Sequence, residues 1–407
     1  MAEPNTASRV CAAASAGAPT YHPAIGYLRA FLVALVVAHH AVLAYHPFVP
    51  PPPASLMSVP RWWQAFPVVD AKRWTGFSLF AGFNDVFFMA LLFFLSGLFV
   101  WQGLERKGAA KFLGERLLRL GLPFLAAAAI VAPIAYYPAY LQTATHTDFS
   151  DFLRQWLALG VWPAGPAWFL WVLPAFDAIA ALLFVLAPKW GEALGRRTAG
   201  VSIRPAVFFF LLVGVSAAVY VPLALIFSPL HWTAFGPFTF QTSRILLYLL
   251  YFLLAVGIGA YGLDRGLLAR DGKLARRPLQ WVIFALLFFG IATIVTIITV
   301  TAHPLSMSWN AVVDFAFAVS CAASGFAFLS LFLRFAGSRS RLFDSLSSNS
   351  YGIYLVHYAF VTWLQYALLP APFPAAIKGI LVFAGALALS WFAAAALRRI
   401  PAVARVV

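Results

Sequence analysis

Charged residues are scarce in this sequence of 407 residues. Asp, Glu, Lys and Arg together make up 10% of the chain, whereas hydrophobic residues make up 63%. A soluble domain is about one quarter charged, so the composition excludes an ordinary soluble protein and indicates a polytopic membrane protein. No soluble domain and no internal repeat is visible in the sequence. We therefore expect an all-α chain of about ten transmembrane helices.

Cysteine is also rare, and several well-known catalytic motifs are missing. Cys11 lies in the N-terminal tail and Cys321 in an apolar stretch, which argues against a disulfide framework. The sequence has no HExxH, GxSxG, Walker or CxxC motif. A metal site and a serine triad therefore have no support, and no permanently bound cofactor is expected.

Acidic residues are outnumbered, 13 against 28 Lys and Arg, which gives a net charge of +15. With the N-terminus inside, ten alternating spans place 22 of the 28 basic residues on the inner side. This bias follows the positive-inside rule and predicts that both termini are cytoplasmic. The charge thus reflects topology, and nucleic acid is not an expected partner. The spans lie near residues 25–46, 78–101, 117–137, 166–187, 205–228, 244–263, 279–301, 311–335, 349–369 and 376–397.

The predicted organisation has three parts. A cytoplasmic tail covers residues 1–24, the ten-helix domain covers 25–397, and a basic cytoplasmic tail covers 398–407. The first 24 residues lack the apolar core of a signal peptide, so the first span is expected to remain. We expect a multi-pass protein of the cell inner (plasma) membrane, with the lipid bilayer as its surroundings.

The first span carries two polar residues on one helical face. Arg29 and His40 are eleven residues apart, which brings them to within roughly 20° of each other and about 16 Å apart along the axis. A charge in a membrane helix costs about 2.5–3.5 kcal/mol on insertion scales, so this face is expected to contact protein or water. Alternatively, Arg29 snorkels to the interface and His40 only packs. His39 lies about 100° away and is a rival.

Asp85 lies in the second span at about the depth of His40. If the two spans are neighbours, a hydrogen bond between them would orient the imidazole as a base. Asp85 is equally explained as a helix cap or as the partner of a basic residue such as Lys72 or Arg73. The sequence leaves these alternatives open.

Further polar residues lie inside apolar spans. Ser350, Tyr354 and His357 share one face of the ninth span, where they form either part of a site or a polar seam between helices. Asp177 and Asp314 are candidates for structural ion pairs, and the sequence does not identify their partners.

A basic cluster precedes and enters the third span at the inner surface. Arg116 and Arg119 are three residues apart and, with Lys111, are suited to bind phosphate groups. The alternative is ordinary positive-inside charge near anionic lipid.

Tryptophan shows the opposite bias, because ten of the 14 Trp residues, including Trp168, fall in the outer half. Flat aromatic rings there are suited to stacking on sugars. The alternative is that the outer loops are longer and use these residues only for packing.

Several segments together resemble the integral-membrane acyltransferase family 3, which includes glucan-modifying and other polysaccharide O-acyltransferases. The segments are RAFLVALVVAHH (29–40), FFLSGLFVW (93–101), ERLLRLGLPF (115–124), WFLWVL (168–173) and SYGIYLVH (350–357). The second and third segments are nearest in sequence to the glucan-modifying branch. One departure is that many members have an aspartate just before the Phe-Phe pair, where this chain has Ala90 and carries Asp85 farther upstream.

The resemblance implies an O-acyltransferase. An acyl group would pass from cytoplasmic acyl-coenzyme A to a hydroxyl of an extracytoplasmic saccharide or glycan. His40 would be the base, assisted by Asp85, while Ser350, Tyr354, His357 and Trp168 are other site candidates. The donor would be bound by Arg29, Lys111, Arg116 and Arg119. The competing interpretation is a transporter or flippase of a lipid-linked or anionic solute, for which paired broken helices would be expected.

Overall fold

The computed structural model describes residues 23–143, 148–304, 306–404 and 406. The tail predicted at residues 1–24 lies outside these residues except for its last two positions, which belong to the first helix. Two antiparallel strands form a hairpin, and the other regular elements are helices. The elements are α1 (Pro23–Leu43), α2 (Gly76–Lys107), α3 (Ala109–Leu141), α4 (Phe149–Ala158), α5 (Gly165–Leu186), α6 (Trp190–Ser202), α7 (Pro205–Phe227), β1 (Trp232–Phe235), β2 (Phe238–Gln241), α8 (Thr242–Tyr261), α9 (Pro278–Ala302), α10 (Met307–Phe335), α11 (Arg341–Ala367), α12 (Ala375–Leu397) and α13 (Pro401–Ala404).

Nine helices in the described ranges are long and apolar enough to cross a membrane, namely α1, α2, α3, α5, α7, α8, α9, α10 and α12. The remaining predicted span corresponds to α11, which has 27 residues and reaches about 40 Å, more than the hydrocarbon core of a bilayer. Its Ser, Asn, His and Gln residues make it more polar than the other nine. The chain is therefore an all-α polytopic membrane protein, as the sequence predicted. The cytoplasmic placement of the termini stays a prediction. The outer end of the bundle is the end that this placement puts on the extracytoplasmic side.

Helix α1 lies inside the bundle, in contact with α2, α10, α11 and α12. Its small and branched residues are buried on most sides, whereas α9 and α12 expose apolar side chains such as Leu286, Ile294 and Phe392. Exposed apolar faces of this kind suit contact with lipid. The His40 end of the polar face of α1 is thus directed at protein, whereas Arg29 at the other end is exposed.

Helix α3 is irregular, and α11 donates side-chain hydrogen bonds to it at two places where a proline interrupts the regular pattern. It contains two π-helical turns, Leu117–Gly121 and Ala127–Val131. Pro123 and Pro138 have no N–H, so the carbonyls four residues earlier, in Arg119 and Ile134, lose their usual partners. On α11, the Tyr351 hydroxyl donates to the Arg119 carbonyl at 2.6 Å and Trp363 Nε1 donates to that of Ile134 at 3.0 Å.

The outer end carries a second, smaller core. It combines the segment 44–75, the end of α3 and α4, with Trp63, Tyr136, Phe152 and Trp156 at its centre. The Tyr136 hydroxyl donates to the backbone carbonyl of Gln64 at 2.9 Å. This core packs on Tyr358 of α11 and makes segment 44–75 a wall above the bundle.

That wall is also fixed by a buried ion pair that the sequence did not indicate. Lys378 Nζ of α12 lies 2.7 Å from Asp70 Oδ2, and the two side chains are 1% and 2% exposed. The Lys378 ammonium also donates to the backbone carbonyl of Leu369. Both charges are therefore compensated inside the protein, as buried charges require.

Candidate active site

A cavity of about 430 Å³ opens at the outer end of the bundle. Helices α1, α2, α3, α5, α8 and α11 enclose it, together with the β hairpin and the wall segment. Its functional lining includes His39, His40, Arg61, Asp85, Trp168 and Tyr354. The sequence identified five of these six residues, and their helices converge here although they lie far apart in the chain.

His40 is held by two contacts of one ring nitrogen. Nδ1 lies 2.8 Å from the carbonyl oxygen of Val36 and 3.5 Å from Nε2 of His357. A carbonyl only accepts, so Nδ1 of His40 carries the hydrogen and donates it. Neither contact uses Nε2 of His40, which is left as the lone-pair nitrogen of a ring that lines the cavity. This tautomer is the one that a general base needs.

His357 is buried behind His40 and is oriented in turn. Its Nδ1 lies 2.7 Å from the Tyr354 carbonyl, to which it must donate, so its Nε2 is free to accept from His40. The rings of His357 and Tyr358 lie 5.3 Å and 5.2 Å from that of His40. The polar seam predicted on α11 therefore fixes the His40 ring in position.

The same helix also fixes the backbone near His40. His40 is three residues from the end of α1, where the last carbonyls have no partner within the helix. Nε2 of Gln365, a buried residue, donates to the carbonyls of His40 and Ala41 at 2.8 and 3.1 Å. Gln365 was not predicted from the sequence, although it lies eight residues after His357 and continues the Tyr354–His357 face of α11.

The expected hydrogen bond between Asp85 and His40 is replaced by other contacts. Asp85 Oδ2 accepts from Nη2 of Arg244 at 2.7 Å, and Nη1 of Arg244 donates to the Asp85 carbonyl at 3.1 Å. The partner of Asp85 is thus a basic residue, as one alternative held, but it comes from α8 rather than from Lys72 or Arg73. His357 takes the orienting position that was expected for Asp85.

His39 also lines the cavity but has no comparable support. Its ring stacks on Phe88 of α2 at 5.3 Å. Nδ1 of His39 is buried and has no hydrogen-bond partner among the described residues. His46 lies in the loop just beyond α1, and its partial burial lowers its pKa below the ordinary value of 6.5. The neutral form of His46 therefore predominates at pH 7. Of the two rival histidines, His40 is the oriented one.

The other site candidates divide between the cavity and the helix behind it. Trp168 lies in the lining, with its ring 5.4 Å from that of Trp232 on β1. Tyr354 also lines the cavity and its hydroxyl donates to the backbone carbonyl of Pro166. Ser350 lies about one turn nearer the inner end, where its hydroxyl donates to the Ser347 carbonyl at 2.9 Å.

A glycine is required where α5 begins. Gly165 has a φ of +55°, in the left-handed region that favours glycine. A Cβ atom there would lie about 3.0 Å from the Tyr358 ring and 3.4 Å from the Tyr136 hydroxyl oxygen. The absence of a side chain therefore lets α5 approach the aromatic rings beside His40.

The predicted donor-binding residues lie away from the cavity, near the inner starts of α1 and α3. Arg29, Lys111 and Arg119 are exposed. Arg116 differs, because its Nε lies 3.3 Å from Oδ2 of the fully buried Asp177. The structure thus identifies the partner of Asp177 and gives Arg116 a structural contact. Its role in binding a donor stays a prediction.

The described residues offer little for a metal ion, since no three His, Cys, Asp or Glu side chains are grouped together in them. The chemistry available is that of an oriented imidazole, a carboxylate and aromatic rings around one cavity.

Comparison with known proteins gives one finding. The chain has no match among curated proteins or solved structures. The family model described as an acyltransferase domain, that of acyltransferase family 3, matches residues 22–396. This range includes α1 to α11 and nearly all of α12, and with them every residue of the cavity. The chain therefore belongs to acyltransferase family 3 and is a membrane acyltransferase.

Proposed function

We propose that this protein is an O-acyltransferase of the inner (plasma) membrane. It transfers an acyl group from cytoplasmic acyl-coenzyme A to a hydroxyl of an extracytoplasmic saccharide. The observation that carries the proposal is the position of Nδ1 of His40, 2.8 Å from the Val36 carbonyl oxygen and 3.5 Å from Nε2 of His357, from which we infer that Nε2 of His40 remains for a substrate. Family membership favours this enzyme over the transporter considered from the sequence.

In the proposed reaction, Nε2 of His40 accepts the proton of the acceptor hydroxyl as its oxygen attacks the thioester carbonyl. The tetrahedral intermediate then collapses and its carbon–sulfur bond breaks. The coenzyme A thiolate leaves and takes the proton back from the imidazolium. The products are an ester and free coenzyme A, and His40 returns to its neutral form.

The donor is proposed to extend along α1. Arg29 and His40 are eleven residues apart on a continuous helix, about 16 Å along its axis. This separation suits a donor whose phosphates stay near the inner basic residues while its extended pantetheine arm carries the thioester to His40. Arg29, Lys111 and Arg119 are exposed at that end, and guanidinium groups bind phosphate in two-pronged geometry.

The acceptor is proposed to enter from the outer end. Trp62, Trp168 and Trp232 line that part of the cavity, and Trp62 and Trp232 are about half exposed. Large flat rings with an apolar face and a polar edge suit a ligand that is apolar on its faces and polar at its rim, as a pyranose ring is.

The test compares His40→Ala with His39→Ala in the full chain, purified into lipid nanodiscs. Short-chain acyl-coenzyme A donors and a glucose oligosaccharide are supplied, and released thiol, acylated sugar and donor binding are measured. Loss of a positioned base is worth about 10²–10⁴ in rate, so His40→Ala should lose transfer by that factor and keep donor binding. His39→Ala should keep most activity. Near-parental transfer by His40→Ala would refute the proposed base.

A further inference from the structure

Asp85 presents an unusual carboxylate to the cavity. Most of α2 is buried, yet the Asp85 side chain is 40% exposed and lines the same cavity as His40. Its ion pair with Arg244 uses Oδ2. The second carboxylate oxygen, Oδ1, takes no part in that pair, so this partly exposed side chain can accept a further hydrogen bond.

Arg244 holds the carboxylate from behind. Its side chain is 3% exposed, and the guanidinium lies 4.4 Å from the centre of the Phe317 ring on α10. Nη1 also donates to the backbone carbonyl of Asp85, so the two contacts fix both the position and the orientation of the carboxylate. The positive charge is thus enclosed by protein while the negative charge faces the ligand space.

Asp85, His39 and His40 line the same cavity, and ring contacts of His39 link α1 to the face of α2 that carries Asp85. The His39 ring is 5.4 Å from that of His40 and 5.3 Å from that of Phe88. Phe88 lies three residues after Asp85, on the same face of α2. A ligand held in this cavity can therefore contact both His40 and Asp85.

We propose that Asp85 binds the acceptor, by accepting a hydrogen bond from a hydroxyl other than the one that His40 deprotonates. A fixed carboxylate only accepts hydrogen bonds, and hydroxyl groups are donors to it. The acceptor class that fits is a neutral saccharide with several hydroxyls, and an acidic saccharide is disfavoured by like charge. The identity of this ligand as the acceptor rests on the proposed function, whereas its binding does not.

The experiment measures sugar binding without any acyl donor. Tryptophan fluorescence of the purified full chain follows titration with a neutral α-1,4-linked glucose heptasaccharide and with the anionic oligogalacturonate of equal length. The parent protein should bind the neutral sugar more tightly. Because Asp85→Asn alone leaves Arg244 buried without a countercharge, the informative variant is Asp85→Asn combined with Arg244→Gln.

A hydrogen bond to a charged group corresponds to roughly ten- to a hundred-fold in affinity, so the double variant should bind the neutral sugar that much more weakly and lose the discrimination against the acid. Asp314→Asn is the matched control. Asp314 is a buried carboxylate of α10 that accepts from the Tyr220 hydroxyl at 3.5 Å and does not line the cavity, so its removal should leave binding unchanged.

Parental affinity in the double variant, or a parent that prefers the anionic sugar or binds neither, would overturn the proposal. Failure of the His40 test would leave these binding results standing, because no acyl transfer is measured here.

Discussion

Replacing Arg116 tests whether this side chain holds the fold or the donor. Its Nε lies 3.3 Å from Oδ2 of Asp177, which is fully buried. Removing one partner of a buried ion pair costs about 3–5 kcal/mol, a large part of the roughly 5–15 kcal/mol that stabilises a typical domain. The Arg116 side chain is 25% exposed, so we expect Arg116→Ala to lower the free energy of unfolding by about 3 kcal/mol, the low end of that range.

Arg119→Ala is the matched control, since Arg119 is an exposed arginine three residues further along α3. It should change stability by less than about 0.5 kcal/mol while raising the donor KM more than it lowers kcat, as loss of uniform binding does. Denaturant unfolding and donor kinetics on the same preparations measure both effects.

A double variant separates the two roles of Arg116. Arg116→Met with Asp177→Leu removes both charges and should recover most of the lost stability. If it also recovers the donor KM, Arg116 acts through the fold. If the donor KM stays high, Arg116 also binds phosphate. An Arg116→Ala protein as stable as the parent would refute the structural contact on which this reasoning depends.

Two further predictions concern buried contacts. His357→Phe keeps a ring but removes the contacts to His40 and Tyr354; kcat should fall by up to about 10²-fold with the donor KM unchanged, and a parental kcat would contradict the positioning role. Lys378→Met leaves Asp70 unpaired at 2% exposure and should cost about 3–5 kcal/mol in thermal or denaturant unfolding, whereas adding Asp70→Leu should restore stability. Equal stability of Lys378→Met and the parent would count against a compensating ion pair.

The features that were predictable from the sequence are those that a single helix contains. Hydrophobic length located the spans to within a few residues for most of the chain. Helical periodicity placed Tyr354 and His357 on one face of α11, and the structure puts that face against His40. These predictions need only the geometry of one helix, which the sequence determines locally.

The pairing of helices was not predictable in the same way. Arg244 is 159 residues from Asp85, and Lys378 is 308 residues from Asp70, so both contacts depend on which spans are neighbours. Arg244, a lone basic residue at the outer start of α8, is the signal in the sequence that indicates a buried acidic partner without identifying it. The π-helical turn after Arg116 also changes the relative directions of Arg116 and Arg119, because it departs from regular helical periodicity.

The hydrogen bonds between α3 and α11 bear on the route by which a substrate reaches His40. Four residues after Arg119 and after Ile134 stands a proline, which has no N–H to donate, and the two carbonyls accept hydrogen bonds from Tyr351 and Trp363 of α11. Separating the two helices would break both hydrogen bonds, and a carbonyl left without a partner in hydrocarbon costs several kcal/mol. Lateral entry from the membrane between α3 and α11 is therefore opposed, and under the proposed function the acceptor enters at the mouth beside Trp62 directly from the aqueous phase.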